Sequence, residues 1–255
     1  MLTYSLQWVV GLLTLTFAVL ALRISRPGVS PDPFFGSAWL LAGTTFLLHA
    51  ASQLAQYAWG GLALAGGAGS AAMESYLRWS PTFNHTRTFV LLALFIALMA
   101  LAGMRAPPGR GFQRAYGVAL LAAMTLGVIV AADEGKLVES RHYLRVAGWD
   151  TVELIVVLSA LFATLVTDKV DRYLWGALAA NAFAVTLSII WFVALSRVTD
   201  PLAWSPPAWQ IAGYRVAVFV VMVALAARRL WLVRRGRVAE GLLGSRTKQY
   251  SPYAG

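Results

Sequence analysis

The chain has 255 residues and no cysteine; 59% of its residues are hydrophobic, 13% are charged, and the net charge is +10. This composition is too apolar for a soluble globular domain, and the lack of cysteine excludes disulfides, cysteine-ligated iron–sulfur clusters and a cysteine nucleophile. The basic residues flank apolar blocks instead of forming a basic domain, so the charge indicates membrane topology and no nucleic-acid partner.

Seven apolar blocks follow one another along the chain, each near the roughly 20 residues that cross about 30 Å of hydrocarbon. They predict helices over residues 4–22, 35–60, 88–104, 116–132, 151–167, 173–195 and 208–227. The first block has no Lys or Arg before it, so we expect it to remain as a helix and not to be a cleaved signal peptide. The predicted fold class is therefore all-α, a polytopic seven-transmembrane-helix bundle over residues 1–229 with a basic juxtamembrane cytoplasmic tail over residues 230–255.

The connection over residues 61–87 is the longest on its side of the membrane. It contains the flexible stretch GGAGSAA and then MESYLRW, which fits a short helix on the membrane surface. His85 and His142 are therefore expected in outer loops. The third and fourth helices are almost wholly apolar, and we expect them to face lipid or to serve packing alone.

Lys and Arg residues predict the orientation, because cytoplasmic loops are enriched in them. With the N-terminus outside, fourteen lie on the cytoplasmic side: Arg23, Arg26, Arg105, Arg110, Arg114, Lys169, Arg172 and seven between Arg228 and Lys248. Six lie outside: Arg78, Arg87, Lys136, Arg141, Arg145 and Arg197. The sequence thus predicts a multi-pass protein of the cell membrane with an outer N-terminus and a cytoplasmic C-terminus.

Arg215 is the remaining basic residue, and it lies inside the seventh apolar block, about 12 Å from the outer edge. A charge at that depth needs a partner, water or a ligand. The second helix offers polar groups at a similar depth, since His49, Gln53 and Gln56 share one helical face with Ser52. We therefore expect Arg215 to face the interior of the bundle, near His49 and Gln53.

The fifth, sixth and seventh helices add further polar side chains in their outer halves. Asp150 and Glu153 have the spacing of a capping box at a helix start, which leaves Glu153 free to pair with Arg215 as well. The predicted ligand-binding residues are Arg215, His49, Gln53, Gln56, Glu153, Tyr214 and Trp191. An alternative use of the glutamines, Ser52, Asn181 and Ser188 is hydrogen bonding between helices without any ligand.

Catalytic and cofactor motifs are absent from the sequence: there is no P-loop, GxGxxG, HExxH or GxSxG pattern. The seventh helix has no lysine for a retinal Schiff base, only His49 among the three histidines is expected within the membrane, and no short ligand spacing predicts a metal site. No catalytic or metal-binding residue is therefore assigned, and the sequence identifies no cofactor.

Three function classes fit these observations. The preferred one is a non-enzymatic membrane protein with an outward-facing polar cavity, a sensor or binder of a small anionic or polar ligand from the outer side. The first alternative is an integral accessory subunit of a larger membrane complex with membrane protein partners. The second is a transporter or membrane enzyme that acts on a small or lipid-like substrate.

Overall fold

The computed structural model describes residues 2–30, 32–67, 69–134, 142–195 and 208–237. They form seven helices and, within these ranges, no strand. The helices are α1 (Leu2–Ile24), α2 (Pro33–Ala65), α3 (Ala71–Gly103), α4 (Arg110–Glu134), α5 (His142–Thr167), α6 (Arg172–Leu195) and α7 (Ala208–Arg234). Each contains a segment that is long and apolar enough to cross a membrane. The predicted number and type of elements are confirmed.

Six of the helices form a closed ring in which α1 packs on α2, α2 on α3, α3 on α5, α5 on α6, α6 on α7, and α7 back on α1. The fourth helix lies outside this ring and packs chiefly on α3. Gly127 of α4 allows a close approach there, because a Cβ atom at this position would lie 2.8 Å from the backbone nitrogen of Thr86. Helix α4 therefore packs against the outside of the ring, close to α3.

Helices that follow one another in the chain alternate in direction, which defines two ends of the bundle. At the upper end, where α1, α3, α5 and α7 begin, the ring of Trp59 on α2 contacts Tyr76 on α3. At the lower end, where these four helices finish, Trp39 on α2 bonds to Asp171 beside α6. Between the ends, Phe46 contacts Phe17 of α1 and Phe219 of α7. These three rings form an aromatic layer between the upper and lower ends of the bundle.

Helix α3 begins at Ala71, far earlier than the predicted start at residue 88, so the expected surface helix and outer loop are wrong. Ser70 caps the helix, its Oγ accepting from the backbone N–H of Met73 at 3.2 Å. Pro81 lies inside the helix. Its missing N–H leaves the carbonyl of Leu77 without its usual partner, and Ser80 Oγ donates to that oxygen at 3.5 Å. The helix continues through His85 and Arg87, which are consequently helical.

Among the other boundaries, the start of α5 and the end of α7 differ most from the predictions. Helix α5 begins at His142, about two turns before the predicted start. Helix α7 runs to Arg234, with Leu230 and Leu232 buried, and so extends beyond the predicted end at residue 227. Both helices extend beyond their apolar blocks, because helical backbone hydrogen bonding continues through the polar and charged residues at the ends of those blocks.

Candidate functional site

Polar side chains from α2, α3, α5 and α7 meet in the upper half of the ring. We name this set, His49, Arg87, Asp150, Glu153 and Arg215, the upper cluster. Hydrogen bonds and electrostatic interactions link its members to one another and to the tyrosines around them. Helix α3, which was expected to be apolar packing material, thus supplies one of its two arginines.

His49 is one of the two buried members of the cluster, together with Glu153. Its side chain is 8% exposed, and its ring lies 5.8 Å from the ring of Phe46 and 6.3 Å from that of Phe219, measured between centroids. It interacts electrostatically with Arg87 and with Arg215. Its Nδ1 atom is buried and has no hydrogen-bond partner among the described residues. The histidine therefore presents an unsatisfied nitrogen in a region that two arginines share.

Arg87 is half-buried on α3. One guanidinium nitrogen donates to the side-chain oxygen of Asn84, and the charge interacts with Tyr57, Arg215 and Tyr76. Its Nη1 atom is buried without a hydrogen-bond partner in the described part of the chain. A desolvated guanidinium donor of this kind is costly unless another group binds it.

Arg215 is also half-buried, and its environment is better matched to its charge. It forms a hydrogen bond with the phenol oxygen of Tyr214 and interacts electrostatically with Tyr57 and Asp150. The hydroxyl of Tyr214 is in turn 2.9 Å from Oγ of Ser188 on α6. The structure thus places Arg215 inside the ring and within electrostatic range of His49, with an acidic neighbour on α5.

Glu153 does not form the predicted capping box, and that prediction is wrong. Because α5 begins at His142, Asp150 and Glu153 lie within the helix, where the backbone N–H groups are already bonded. Glu153 is 3% exposed and forms a side-chain hydrogen bond with Thr88 of α3. The carboxylate that interacts with Arg215 is that of Asp150, which also interacts with His85.

The other predicted ligand-binding residues divide into three cases. Gln53 is buried against α1, where its Oε1 accepts from Thr14 Oγ1 at 3.2 Å, so it bonds two helices together. Gln56 is buried, and its Oε1 has no hydrogen-bond partner among the described residues. The side chain of Trp191 lies outside the described residues, although its backbone belongs to α6.

A second polar group, which we name the lower cluster, consists of Trp39, Asp171 and Arg229. The Nε of Arg229 donates to Oδ2 of Asp171 at 2.6 Å, and both side chains have 0% exposure. The same oxygen accepts from Nε1 of Trp39 at 2.8 Å. Asp171 Oδ1 accepts from the backbone N–H groups of Tyr173 and Leu174, at 3.1 and 3.0 Å, and caps α6. One carboxylate therefore joins α2, α6 and α7.

Sequence reasoning missed this lower cluster and missed Arg87. Asp171 directly precedes the apolar run of α6, which is the position of an N-cap, and that signal was available. Arg229 was counted with the basic tail because three other arginines lie near it. For Arg87, Ser70 followed by the helix-favouring residues AAMESYLRW indicates an early helix start, but Pro81 obscures it.

A groove of about 370 Å³ lies between α5 and α6. Its lining includes the exposed side chains of Leu158, Phe162 and Phe183. Its polar atoms are already used: Trp175 Nε1 donates to Leu161 O at 3.1 Å, and Thr186 Oγ1 donates to Ala182 O at 3.0 Å. This groove suits hydrocarbon and offers nothing to a polar ligand.

Among the described residues, no three His, Asp or Glu side chains lie close enough together to hold a metal ion. The upper cluster therefore offers charge and hydrogen-bonding groups for a ligand, drawn from several helices at once. Comparison of the chain with known protein families, with curated proteins and with solved structures finds no match.

Proposed function

We propose that the chain is a multi-pass protein of the cell membrane whose upper end faces outward, and that the upper cluster binds a small polar ligand from that side. The protein acts as a non-enzymatic sensor or binding protein. The observation that carries this proposal is the meeting of His49, Arg87 and Arg215 in a half-buried region, with the Nδ1 and Nη1 atoms unsatisfied by the described residues. Ionisable groups at such depth in a membrane bundle are usually functional.

The distribution of basic residues supports the orientation. The lower end carries Arg23 in the last turn of α1 and Arg26 after it, Lys169 before α6 and Arg172 at its start, and the arginines that end α7. The upper end carries fewer, and two of its arginines, Arg78 and Arg87, lie on α3. The positive-inside rule places the richer end in the cytoplasm.

The arrangement of helices supports a sensor role. A ligand that touches His49, Arg87 and Arg215 contacts α2, α3 and α7 together. Within the ring α7 packs on α1 and α6, and it has no extensive contact with α3. Such a ligand binds tightly only when the three helices hold one relative position, so its binding favours that conformation over others.

The orientation is tested by cysteine labelling, for which this cysteine-free chain is suited. Arg78→Cys and Arg235→Cys each place a single thiol at an exposed position, one near each end of the bundle. A membrane-impermeant maleimide should label Arg78→Cys in intact cells and Arg235→Cys only after permeabilisation. The reverse pattern would place the upper end inside and overturn the orientation.

The binding proposal is tested with the purified full chain in lipid nanodiscs, screened against small polar metabolites by thermal unfolding and then by calorimetry. A compound that binds should lose about tenfold or more in affinity to Arg215→Gln, because hydrogen bonds to charged groups contribute about 1.5–3 kcal/mol. Arg228→Gln is the matched control, since Arg228 is exposed on the same helix. Equal affinity of Arg215→Gln and Arg228→Gln would show that the compound does not bind at the upper cluster. Chemical conversion or net transport of the compound would contradict the role of a non-enzymatic sensor or binding protein.

A further inference from the structure

We infer that the ligand of the upper cluster carries an oxyanion, a carboxylate, phosphate or sulfate group, which Arg87 and Arg215 hold between them. This inference rests on the proposed binding function and names the class of ligand. It follows from the charges around Arg87, from the unsatisfied atoms beside it and from the geometry of the guanidinium group.

The two arginines differ in how their charge is compensated. Arg215 has Asp150 among its electrostatic partners, whereas the partners of Arg87 are Tyr57, Tyr76 and Arg215 itself. Among the described residues, neither arginine forms an ion pair with a carboxylate. The remaining acid of the cluster, Glu153, bonds to Thr88. Arg87 is therefore a half-buried cation, and the charged residue among these electrostatic partners is another cation.

The unsatisfied atoms favour an anion over a neutral ligand. Arg87 Nη1 is a donor without an acceptor among the described residues, and nearby His49 has a free Nδ1. A neutral ligand could accept a hydrogen bond from Nη1, yet it would leave the repulsion between the two guanidinium groups unchanged. An oxyanion accepts the hydrogen bond and also screens the two positive charges from each other.

The shape of the guanidinium group narrows the choice to oxyanions. Its planar N–H donors match the paired oxygens of carboxylate, phosphate and sulfate, whereas a spherical halide offers only one acceptor position. Arg87 on α3 and Arg215 on α7 approach from different helices, so an oxyanion between them has oxygens for each. The oxyanion comes from one of two sources, a soluble compound or the headgroup of an anionic lipid in the outer leaflet.

The test uses the full chain in nanodiscs of phosphatidylcholine, with sodium acetate, sodium phosphate and sodium sulfate as probes. Sodium chloride at equal ionic strength and glycerol are the halide and neutral comparisons. A parallel set of nanodiscs contains phosphatidylglycerol without added salts, to detect a lipid headgroup. The readouts are the midpoint of thermal unfolding and the dissociation constant by calorimetry.

We expect at least one oxyanion, or the anionic lipid, to raise the unfolding midpoint of the wild type in a saturable manner. Chloride and glycerol should leave this midpoint unchanged. Arg87→Gln should weaken this binding about tenfold or more, and Arg87→Lys should weaken it less, because lysine keeps the charge but lacks the paired donors. Arg78→Gln, which removes an exposed charge from the same helix, should bind as the wild type does. Should Arg87→Gln fail to fold, Arg87→Lys carries the comparison.

A second readout is the unfolding temperature of Arg87→Gln relative to that of the wild type, measured first without and then with added oxyanion. Without added oxyanion, Arg87→Gln should unfold at a higher temperature than the wild type, because the substitution removes the repulsion between Arg87 and Arg215. With saturating oxyanion, the wild type should unfold at the higher temperature. Binding of neutral compounds alone, lost in Arg215→Gln, would leave the proposed function standing and overturn the oxyanion. Oxyanion binding that Arg87→Gln leaves unchanged, or no response to any oxyanion or to anionic lipid, would also overturn it.

Discussion

The upper and lower clusters are each built on one arginine of α7, and they differ in almost every other respect. Arg215 and Arg229 are separated by about four helical turns, or roughly 21 Å, and lie on nearly the same face. Arg229 is wholly buried, and its carboxylate partner accepts four hydrogen bonds. Arg215 is half-buried and has an acid within electrostatic range without an ion pair.

Under the proposed function, this difference separates a structural use of a buried arginine from a ligand-binding one. In the lower cluster the acid is saturated, no solvent reaches the pair, and the contacts join α2, α6 and α7 into one unit. In the upper cluster the two arginines are half-buried and form no ion pair with a described carboxylate. Buried atoms without a hydrogen-bond partner among the described residues occur in both clusters: His49 Nδ1 and Arg87 Nη1 in the upper one, Arg229 Nη1 and Nη2 in the lower one. We therefore expect the lower cluster to determine stability and the upper cluster to determine binding.

The largest effect that separates the clusters is expected at Asp171. Asp171→Ala removes the ion pair, the Trp39 bond and the α6 cap, and leaves Arg229 buried without a counter-charge. Breaking a buried pair in this way costs about 3–5 kcal/mol of unfolding free energy. Unfolding by sodium dodecyl sulfate in mixed micelles measures the loss.

Two variants serve as controls for this prediction. Asp168→Asn changes an exposed acid of the same connection, and asparagine tolerates its positive φ of 54°, so its stability should stay near that of the wild type. The double variant Asp171→Asn with Arg229→Gln should recover part of the loss, since neither buried charge remains. A small loss in Asp171→Ala would show that the lower cluster is not structural.

An intermediate effect is expected in double-mutant cycles at the upper cluster. Arg215→Ala and Asp150→Asn should couple by about 0.5–1 kcal/mol of unfolding free energy, because the pair is partly exposed and not in direct contact. Arg215→Ala and Glu153→Gln should show no coupling, because Glu153 bonds to Thr88. A larger coupling with Glu153 than with Asp150 would contradict the arrangement described for the upper cluster.

The smallest effect is expected from salt. Raising the ionic strength from 0.1 to 1 M shortens the Debye length from about 10 to 3 Å, which weakens interactions between accessible charges. The coupling between Arg215 and Asp150 should fall toward zero, whereas that between Arg229 and Asp171 should change little. A cycle of Arg215→Ala with Asp150→Asn and a cycle of Arg229→Gln with Asp171→Asn, each measured in nanodiscs at the two salt concentrations, test this. Equal salt dependence of the two couplings would contradict the distinction between the clusters.

Part of the site was predictable because helical periodicity links sequence to position. His49, Gln53 and Gln56 share one face of α2, and all three are buried in the structure. Their partners were not predictable. Gln53 bonds to Thr14 of α1, a contact that depends on the register between two helices. The acid near Arg215 is Asp150 and not Glu153, because the rotation of α5 directs Asp150 toward Arg215 and Glu153 toward Thr88 of α3.

The sequence by itself determined the seven helices, because the length and apolarity of each block are local properties. It also located Arg215 within one of them. Only the tertiary structure decided that Arg87 joins that site, that α4 lies outside the ring, and that Asp171 and Arg229 pair across the lower end. These features depend on the relative rotation, register and order of the helices. Packing between segments far apart in the chain selects those quantities, and no local pattern of residues encodes them.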